Sequence, residues 1–163
     1  MTSEEEFNRA RENESYRQPF LDSINLESEA RFVHKVIYNS NQKYSSFMDE
    51  NVPTIMRCKL RPLEIFGRVW LPSFRRADIY VFPIAFTEAI PNINSFLNNL
   101  IDHEGFHAKQ LFFNPWLALG DGAMLELDAY WNQMISSEKR GLDDNWRQII
   151  AGKCSRVIDP FAI

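Results

Sequence analysis

This chain has only two cysteines, no long apolar run and no excess of positive charge. No apolar run approaches the roughly 20 residues that a helix needs to cross a bilayer, so we expect no membrane span. Cys58 and Cys154 are the only cysteines, which excludes a disulfide scaffold and suits a reducing, cytoplasmic compartment. The net charge of −4 gives no electrostatic case for nucleic-acid binding. The acidic N-terminus is unlike a secretory signal.

Apolar and aromatic side chains are present in ordinary globular proportion. Hydrophobic residues make up 45% of the 163 residues, which is enough to bury the core of one domain. We therefore expect a single domain over residues 1–163, with the charged residues 1–15 as an arm that can be mobile. Inside that arm, Ser3 and Glu6 have the spacing of a capping box, which predicts a short helix.

The N-terminal half is predicted to change from helix to strand. Apolar residues in 26–38 recur at helical spacing and predict an amphipathic helix. Segments rich in β-branched and aromatic residues predict three strands, at 54–60, 63–71 and 79–86. Pro83 lies inside the third of these. Because a proline cannot donate a hydrogen bond to a sheet, we expect that strand at an edge.

The C-terminal half is predicted to be helical. Apolar residues return to helical spacing over 93–113, and two further helices are predicted, at 122–140 and around 143–151. Asp121 and Gly141 suit the start and the stop of the second one. The order of helices, then strands, then helices indicates an α+β fold with N-terminal helices and a small three-stranded sheet.

Two histidines four residues apart carry the clearest chemical signal in the sequence. Residues 103–107 read His-Glu-Gly-Phe-His, so on a helix His103 and His107 project from one face, one turn apart. Two imidazoles placed in this way can bind one metal ion. Glu104 lies beside the first histidine and within reach of a water at that ion. The motif therefore predicts a zinc site.

A third ligand is predicted on the next helix. Glu126 and Asp128 are the candidates, and two positions correspond to about 200° around a regular helix, so both cannot face one metal. We favour Glu126, because Ala129 lies on its side of the helix and a small residue permits close approach. Asp128 remains the alternative, either as the ligand or as a hydrogen-bond partner of a ligand histidine.

Residues 79–131 resemble the gluzincin branch of the zincin metallopeptidases, through the motif at 103–107 followed by Glu126-x-x-Ala129. The longer metzincin signature needs Gly at 110 and His at 113, where this chain has Gln110 and Phe113. The resemblance implies a zincin-like fold, with an edge strand over the metal and an active-site helix followed by a glutamate-bearing helix. It also implies a bound Zn²⁺ and a peptide or protein substrate.

The expected chemistry is hydrolysis of a peptide bond by a zinc-activated water, with Glu104 as general base. The predicted strand at 79–86 would pair with an extended peptide. Tyr130, one turn beyond Glu126, is a candidate second donor to the oxyanion, although packing is its simpler interpretation. Gly105 indicates either that two helices pack closely at this position or that the helix leaves room for substrate near the metal. His34, the third histidine, is interpreted as structural.

Two other functions compete with a peptidase. One is a zincin-like zinc-binding protein without peptidase activity, which would act through partner binding or regulation. The other is a di-iron helical bundle, for which Glu104-x-x-His107 would be half of the ligand motif. A second such motif is absent, because Arg31 occupies the position three residues before His34. The sequence predicts neither membrane binding nor an oligomeric state.

Overall fold

In a computed structural model of the chain, the described residues are 3–41, 54–60, 76–115, 117 and 122–158. They form a mixed α+β structure, as predicted. Helices α1 (Glu4–Glu12) and α2 (Arg17–Asp22) come first, separated by a 3₁₀ turn. A second 3₁₀ segment, Glu27–Phe32, leads into strand β1. Among the described residues, no helix is both long and apolar enough to cross a bilayer.

Helix α1 belongs to the hydrophobic core. It begins with the predicted capping box, in which Ser3 and Glu6 each accept from the other's backbone N–H. Phe7 and Ala10 are 0% exposed. The Phe7 ring lies 5.0 Å from Phe96, and Phe20 of α2 lies 5.5 Å from that same ring. This part of the sequence, which we expected to be a mobile arm, therefore packs against the helix that carries the histidines.

Three strands form one small sheet, in the order β1–β3–β2. They are β1 (Val33–Tyr38), β2 (Met56–Lys59) and β3 (Ala77–Val81). Strand β1 runs parallel to β3, and β2 runs antiparallel to it. The predicted strand at 54–60 is thus confirmed as β2, whereas the one at 63–71 lies outside the described residues.

The predicted helix at 26–38 is wrong, because its second half is strand β1. Val33, Val36 and Ile37 are β-branched, and such side chains pack well on a pleated surface. Parallel pairing with β3 supplies the backbone hydrogen bonds that a helix would otherwise make. A short apolar segment fits both the helical period of 3.6 residues and the strand period of two residues. The element that pairs with it therefore decides whether it forms a helix or a strand.

The prediction of an edge strand at 79–86 is also wrong. Strand β3 has β1 on one side and β2 on the other. Pro83 lies beyond the strand and begins a 3₁₀ helix, Pro83–Phe86, so it removes no hydrogen bond from the sheet. A peptide substrate cannot pair with β3, because both of its sides are occupied.

The predicted helix at 93–113 is confirmed as three consecutive segments. These are α3 (Ile93–Leu97), a π-helical segment (Asn98–Glu104) and α4 (Gly105–Phe113). Helix α5 (Gly122–Lys139) confirms the next prediction, and α6 (Asp144–Ile158) starts as predicted but continues further. Helix α5 packs against both the π segment and α6, and β2 packs against the π segment and α4.

Replacing Phe7 with alanine is expected to lower the free energy of unfolding by about 3–5 kcal/mol, because it empties a fully buried aromatic site. Phe113→Ala is the matched control, since Phe113 is largely exposed and its loss is expected to cost far less. Guanidinium unfolding of both variants measures the difference. Equal losses would show that α1 is not part of the core.

Candidate metal centre

The histidines lie where the π segment becomes α4. The N–H of Gly105 donates to the carbonyl of Leu100, five residues back, so His103 and Glu104 end the wider helical turn. His107 lies one turn on, in α4. The imidazole rings of His103 and His107 are 4.9 Å apart and nearly perpendicular, so both remain on one face of the helix.

Glu126 of α5 completes a cluster with the two histidines. One possible ligand atom from each of His103, His107 and Glu126 lies within 4.8 Å of the others. Nε2 of His107 is 2.5 Å from one carboxylate oxygen of Glu126, and Nε2 of His103 is 3.3 Å from the other. Asp128 is exposed and is not part of the cluster. The structure thus brings together the three residues that the sequence favoured.

The contact between His107 and Glu126 fits a shared cation. Nδ1 of His107 lies 2.8 Å from Oε1 of Gln110, and because an amide oxygen can only accept, Nδ1 carries the proton. Nε2 is buried, and a carboxylate oxygen of Glu126 lies 2.5 Å from it. A neutral imidazole would point the lone pair of Nε2 at a carboxylate oxygen, so either a proton or a metal ion must lie between them.

Burial and charge move the pKa values of the cluster in opposite directions. Although burial alone would lower it, the pKa of His107 is raised to about 9 by the Glu126 carboxylate and by Glu104. The two histidines hold the pKa of Glu126 well below its usual range, despite burial. Burial lowers the pKa of His103. The metal-free centre is therefore an ion pair at neutral pH, and a dication would replace the proton of His107.

Glu104 lies beside the cluster without belonging to it. Its side chain is 8% exposed, and one carboxylate oxygen is 4.0 Å from Nε2 of His103. Burial raises its pKa to about 8, while a hydrogen bond from the backbone of Cys58 opposes that shift. Cys58 belongs to β2, so strand β2 reaches this centre. Such a carboxyl group can exchange a proton near neutral pH.

Tyr130 packs directly on His103. The two ring centroids are 4.4 Å apart, which supports the packing interpretation of this residue. Burial raises the pKa of the phenol, and the charges of Glu126 and Glu104 raise it further, so the hydroxyl keeps its proton. Tyr130 is therefore a hydrogen-bond donor placed at the cluster, as a donor to an oxyanion would have to be.

Lys153 of α6 is the charged residue that the sequence did not single out. Burial lowers the pKa of its ammonium, whereas the carboxylates of Glu104 and Glu126 raise it. Trp146, Ile150 and Val157 mark the buried face of α6, and Lys153 falls in line between the last two. That apolar stripe was the available signal, but the predicted helix stopped before residue 153.

The two remaining sequence candidates have structural explanations. A Cβ atom at Gly105 would lie 3.1 Å from Cβ of Glu29, so the glycine permits close packing of the Glu27–Phe32 segment. This supports the crowding interpretation. His34 lies on β1 and contacts Oδ1 of Asp78 on β3 through Nδ1, at 2.8 Å. It is outside the cluster, as expected for a structural histidine.

A buried polar network holds the π segment against α5 and α6. Asp102, next to His103, accepts from Nε of Arg140 at 2.6 Å and from Nδ2 of Asn98 at 2.8 Å. The indole N–H of Trp146 in α6 donates to Asn98. Arg140 also pairs with Glu27, whose φ of 58° is in the left-handed region. These contacts set the distance between the histidines and the helix that carries Glu126.

One zinc ion per chain is expected in the wild-type protein, and we expect it to be lost in both His107→Ala and Glu126→Ala, because each change removes one of three ligands. Asp128→Ala is the matched control and should retain the metal, since Asp128 is exposed. Elemental analysis of the purified proteins measures the content. If Asp128→Ala loses zinc and Glu126→Ala keeps it, the third ligand is Asp128 and not Glu126.

Removing the carboxylate of Asp102 is expected to lower the free energy of unfolding by about 1–3 kcal/mol, because the partly buried Arg140 then keeps only its exposed partner Glu27. Asp102→Ala should cost less in an Arg140→Met background, where no charge is left unpaired. Asp144→Ala is the control, since its ion pair with Arg147 is exposed and worth about 1 kcal/mol or less. Denaturant unfolding gives all these values. If Asp102→Ala lowers the free energy of unfolding equally in the wild-type and Arg140→Met backgrounds, the two side chains are not coupled.

No protein-family model, no curated protein and no solved structure matches this chain. In the structure, His103, His107 and Glu126 converge beside the buried carboxyl group of Glu104.

Proposed function

We propose that this protein is a zinc-dependent metallopeptidase of the zincin-like, gluzincin type. The observation that carries the proposal is the convergence of His103, His107 and Glu126 on a shared point. Two imidazole nitrogens and one carboxylate suit Zn²⁺, and three protein ligands leave a fourth position open, as hydrolytic zinc sites require. The free thiols of Cys58 and Cys154 suit the reducing cytoplasm that we propose as its compartment.

The residues around the cluster have the properties that peptide hydrolysis needs. When bound, Zn²⁺ would polarise a carbonyl group and lower the pKa of a water molecule. Glu104 would accept the proton of the attacking water and pass it to the leaving amine. Burial raises the pKa of this carboxyl group, and a dication bound beside it would lower that pKa and so favour the carboxylate form that accepts a proton. Tyr130 would donate its hydroxyl proton in a hydrogen bond to the developing oxyanion.

The substrate path differs from the one expected from the sequence. Strand β3 cannot accept a peptide, because β1 and β2 occupy both of its sides. Strand β2 reaches the centre through the backbone of Cys58. We therefore propose that a peptide or protein substrate enters near β2.

A zinc-binding protein without peptidase activity is the second candidate. His103 is 3% exposed and Glu104 is 6% exposed. The centre is therefore more enclosed than a site that binds a long peptide would be. A zinc ion in such a centre would mainly stabilise the fold, because it binds the folded chain and not the unfolded one. The protein would then act through partner binding or regulation.

Glu104→Gln separates these two functions. The amide cannot act as a base, so we expect hydrolysis by the zinc-loaded protein to fall by about 10²–10⁴-fold while zinc content stays unchanged. Glu138→Gln on the exposed surface of α5 is the matched control. Cleavage of a peptide library, followed by mass spectrometry, measures the rates. Equal rates in wild type and Glu104→Gln would sink the mechanism.

The wild-type protein by itself distinguishes the second candidate. If zinc raises its melting temperature and no peptide in the library is cleaved, the non-peptidase function is the correct one.

A further inference from the structure

We propose that Gln110 is a positioning residue of the metal centre, which holds the His107 ring so that Nε2, and not Nδ1, is the nitrogen that binds the metal. The proposal rests on the zinc site of the proposed function and does not depend on peptidase activity. It gives α4 a second contribution to the centre, besides the ligand itself.

The side chain of Gln110 lies between the two helices that supply the ligands. Gln110 follows His107 by three residues, so both lie on one side of α4. Its amide oxygen is 2.8 Å from Nδ1 of His107. Its amide nitrogen is 3.4 Å from the backbone carbonyl oxygen of Leu125 in α5, the residue directly before Glu126. One side chain thus contacts a ligand on one helix and the backbone beside a ligand on the other.

The contact with α5 decides how the amide group of Gln110 is oriented. A carbonyl oxygen can only accept a hydrogen bond, so the NH₂ group of Gln110 faces Leu125 and donates to it. The amide oxygen is then left for His107, and it can only accept as well, so Nδ1 of His107 carries the hydrogen. In a neutral imidazole the lone pair is therefore on Nε2, the atom that faces Glu126.

The two ligand histidines are held in different ways. Nδ1 of His103 is buried and has no hydrogen-bond partner in the described part of the chain. The ring of Tyr130 packs on the His103 ring instead, with their centroids 4.4 Å apart. Packing fixes where a ring lies but does not select which of its nitrogens carries a hydrogen. We therefore assign that selection to Gln110, for His107 alone.

A purely structural role for Gln110 predicts a different set of variant properties. If Gln110 only links α4 to α5, its contact with Leu125 is the one that matters. Gln110→Met removes both contacts at nearly constant length. Gln110→Glu keeps an acceptor for Nδ1 of His107, and its carboxylate has no hydrogen to donate to Leu125. A linking residue is lost in both variants, whereas a positioning residue is lost only in Gln110→Met.

The test measures the zinc affinity of the full-length protein by competition with a chromogenic chelator. We expect Gln110→Met to bind zinc about 10–100-fold more weakly than wild type, as is typical when the hydrogen-bond partner of a ligand histidine is removed. We expect Gln110→Glu to bind at least as tightly as wild type. Gln148→Met and Gln148→Glu, on the exposed surface of α6, are the matched controls for the lost amide and for the added charge.

Nitrogen NMR of the ¹⁵N-labelled, zinc-loaded protein gives a readout that added charge does not change. We expect His107 to bind zinc through Nε2 and to carry a hydrogen on Nδ1, in wild type and in Gln110→Glu. Zinc binding through Nδ1 in wild type would overturn the proposal. So would an unchanged affinity of Gln110→Met, or an equal loss of affinity in Gln110→Glu. A wild-type protein that takes up no zinc overturns the proposed function itself, which elemental analysis reveals first.

Discussion

The buried ion pair between Asp102 and Arg140 fixes the geometry on which the candidate centre depends. Asp102 is next to His103 in the π segment, and Arg140 directly follows α5, which carries Glu126. Their bond therefore ties the two sources of ligands to each other. Asn98 extends the connection to α6 through Trp146. Such a network is favourable only when every member has a partner, so it specifies one arrangement of the three helices.

The candidate centre places charged groups in a buried part of the protein. Glu104 and Glu126 are both buried carboxyl groups, yet their pKa values move in opposite directions. Glu126 faces two imidazoles and stays ionised, whereas Glu104 is buried near the negative charge of Glu126 and holds its proton more tightly. In the proposed function, this difference suits one carboxylate to ligation and the other to proton transfer. At the protein surface, the same two carboxyl groups would have similar pKa values, and these values would not separate the two roles.

Local pattern predicted some elements of the fold and misjudged others, for one physical reason. The helices at 93–113 and 122–140 follow from apolar residues repeated over several turns, a signal that no short segment can imitate. Strand β1 was predicted as a helix, because the short segment at 26–38 satisfies both periods. The edge position of β3 was inferred from Pro83, which lies outside the strand. Which strand lies at an edge is a property of the sheet, and distant parts of the chain decide it.

The sequence by itself determined the metal-binding pattern. Four-residue spacing places His103 and His107 on one face of any helix, and Glu126 is the acidic residue of α5 that reaches them. Only the tertiary structure decided what surrounds these ligands. Strand β2 reaches Glu104, where the backbone of Cys58 donates a hydrogen bond to that carboxyl group. Spacing along one helix is fixed by bond geometry, whereas contacts between helices and strands depend on how the whole core packs.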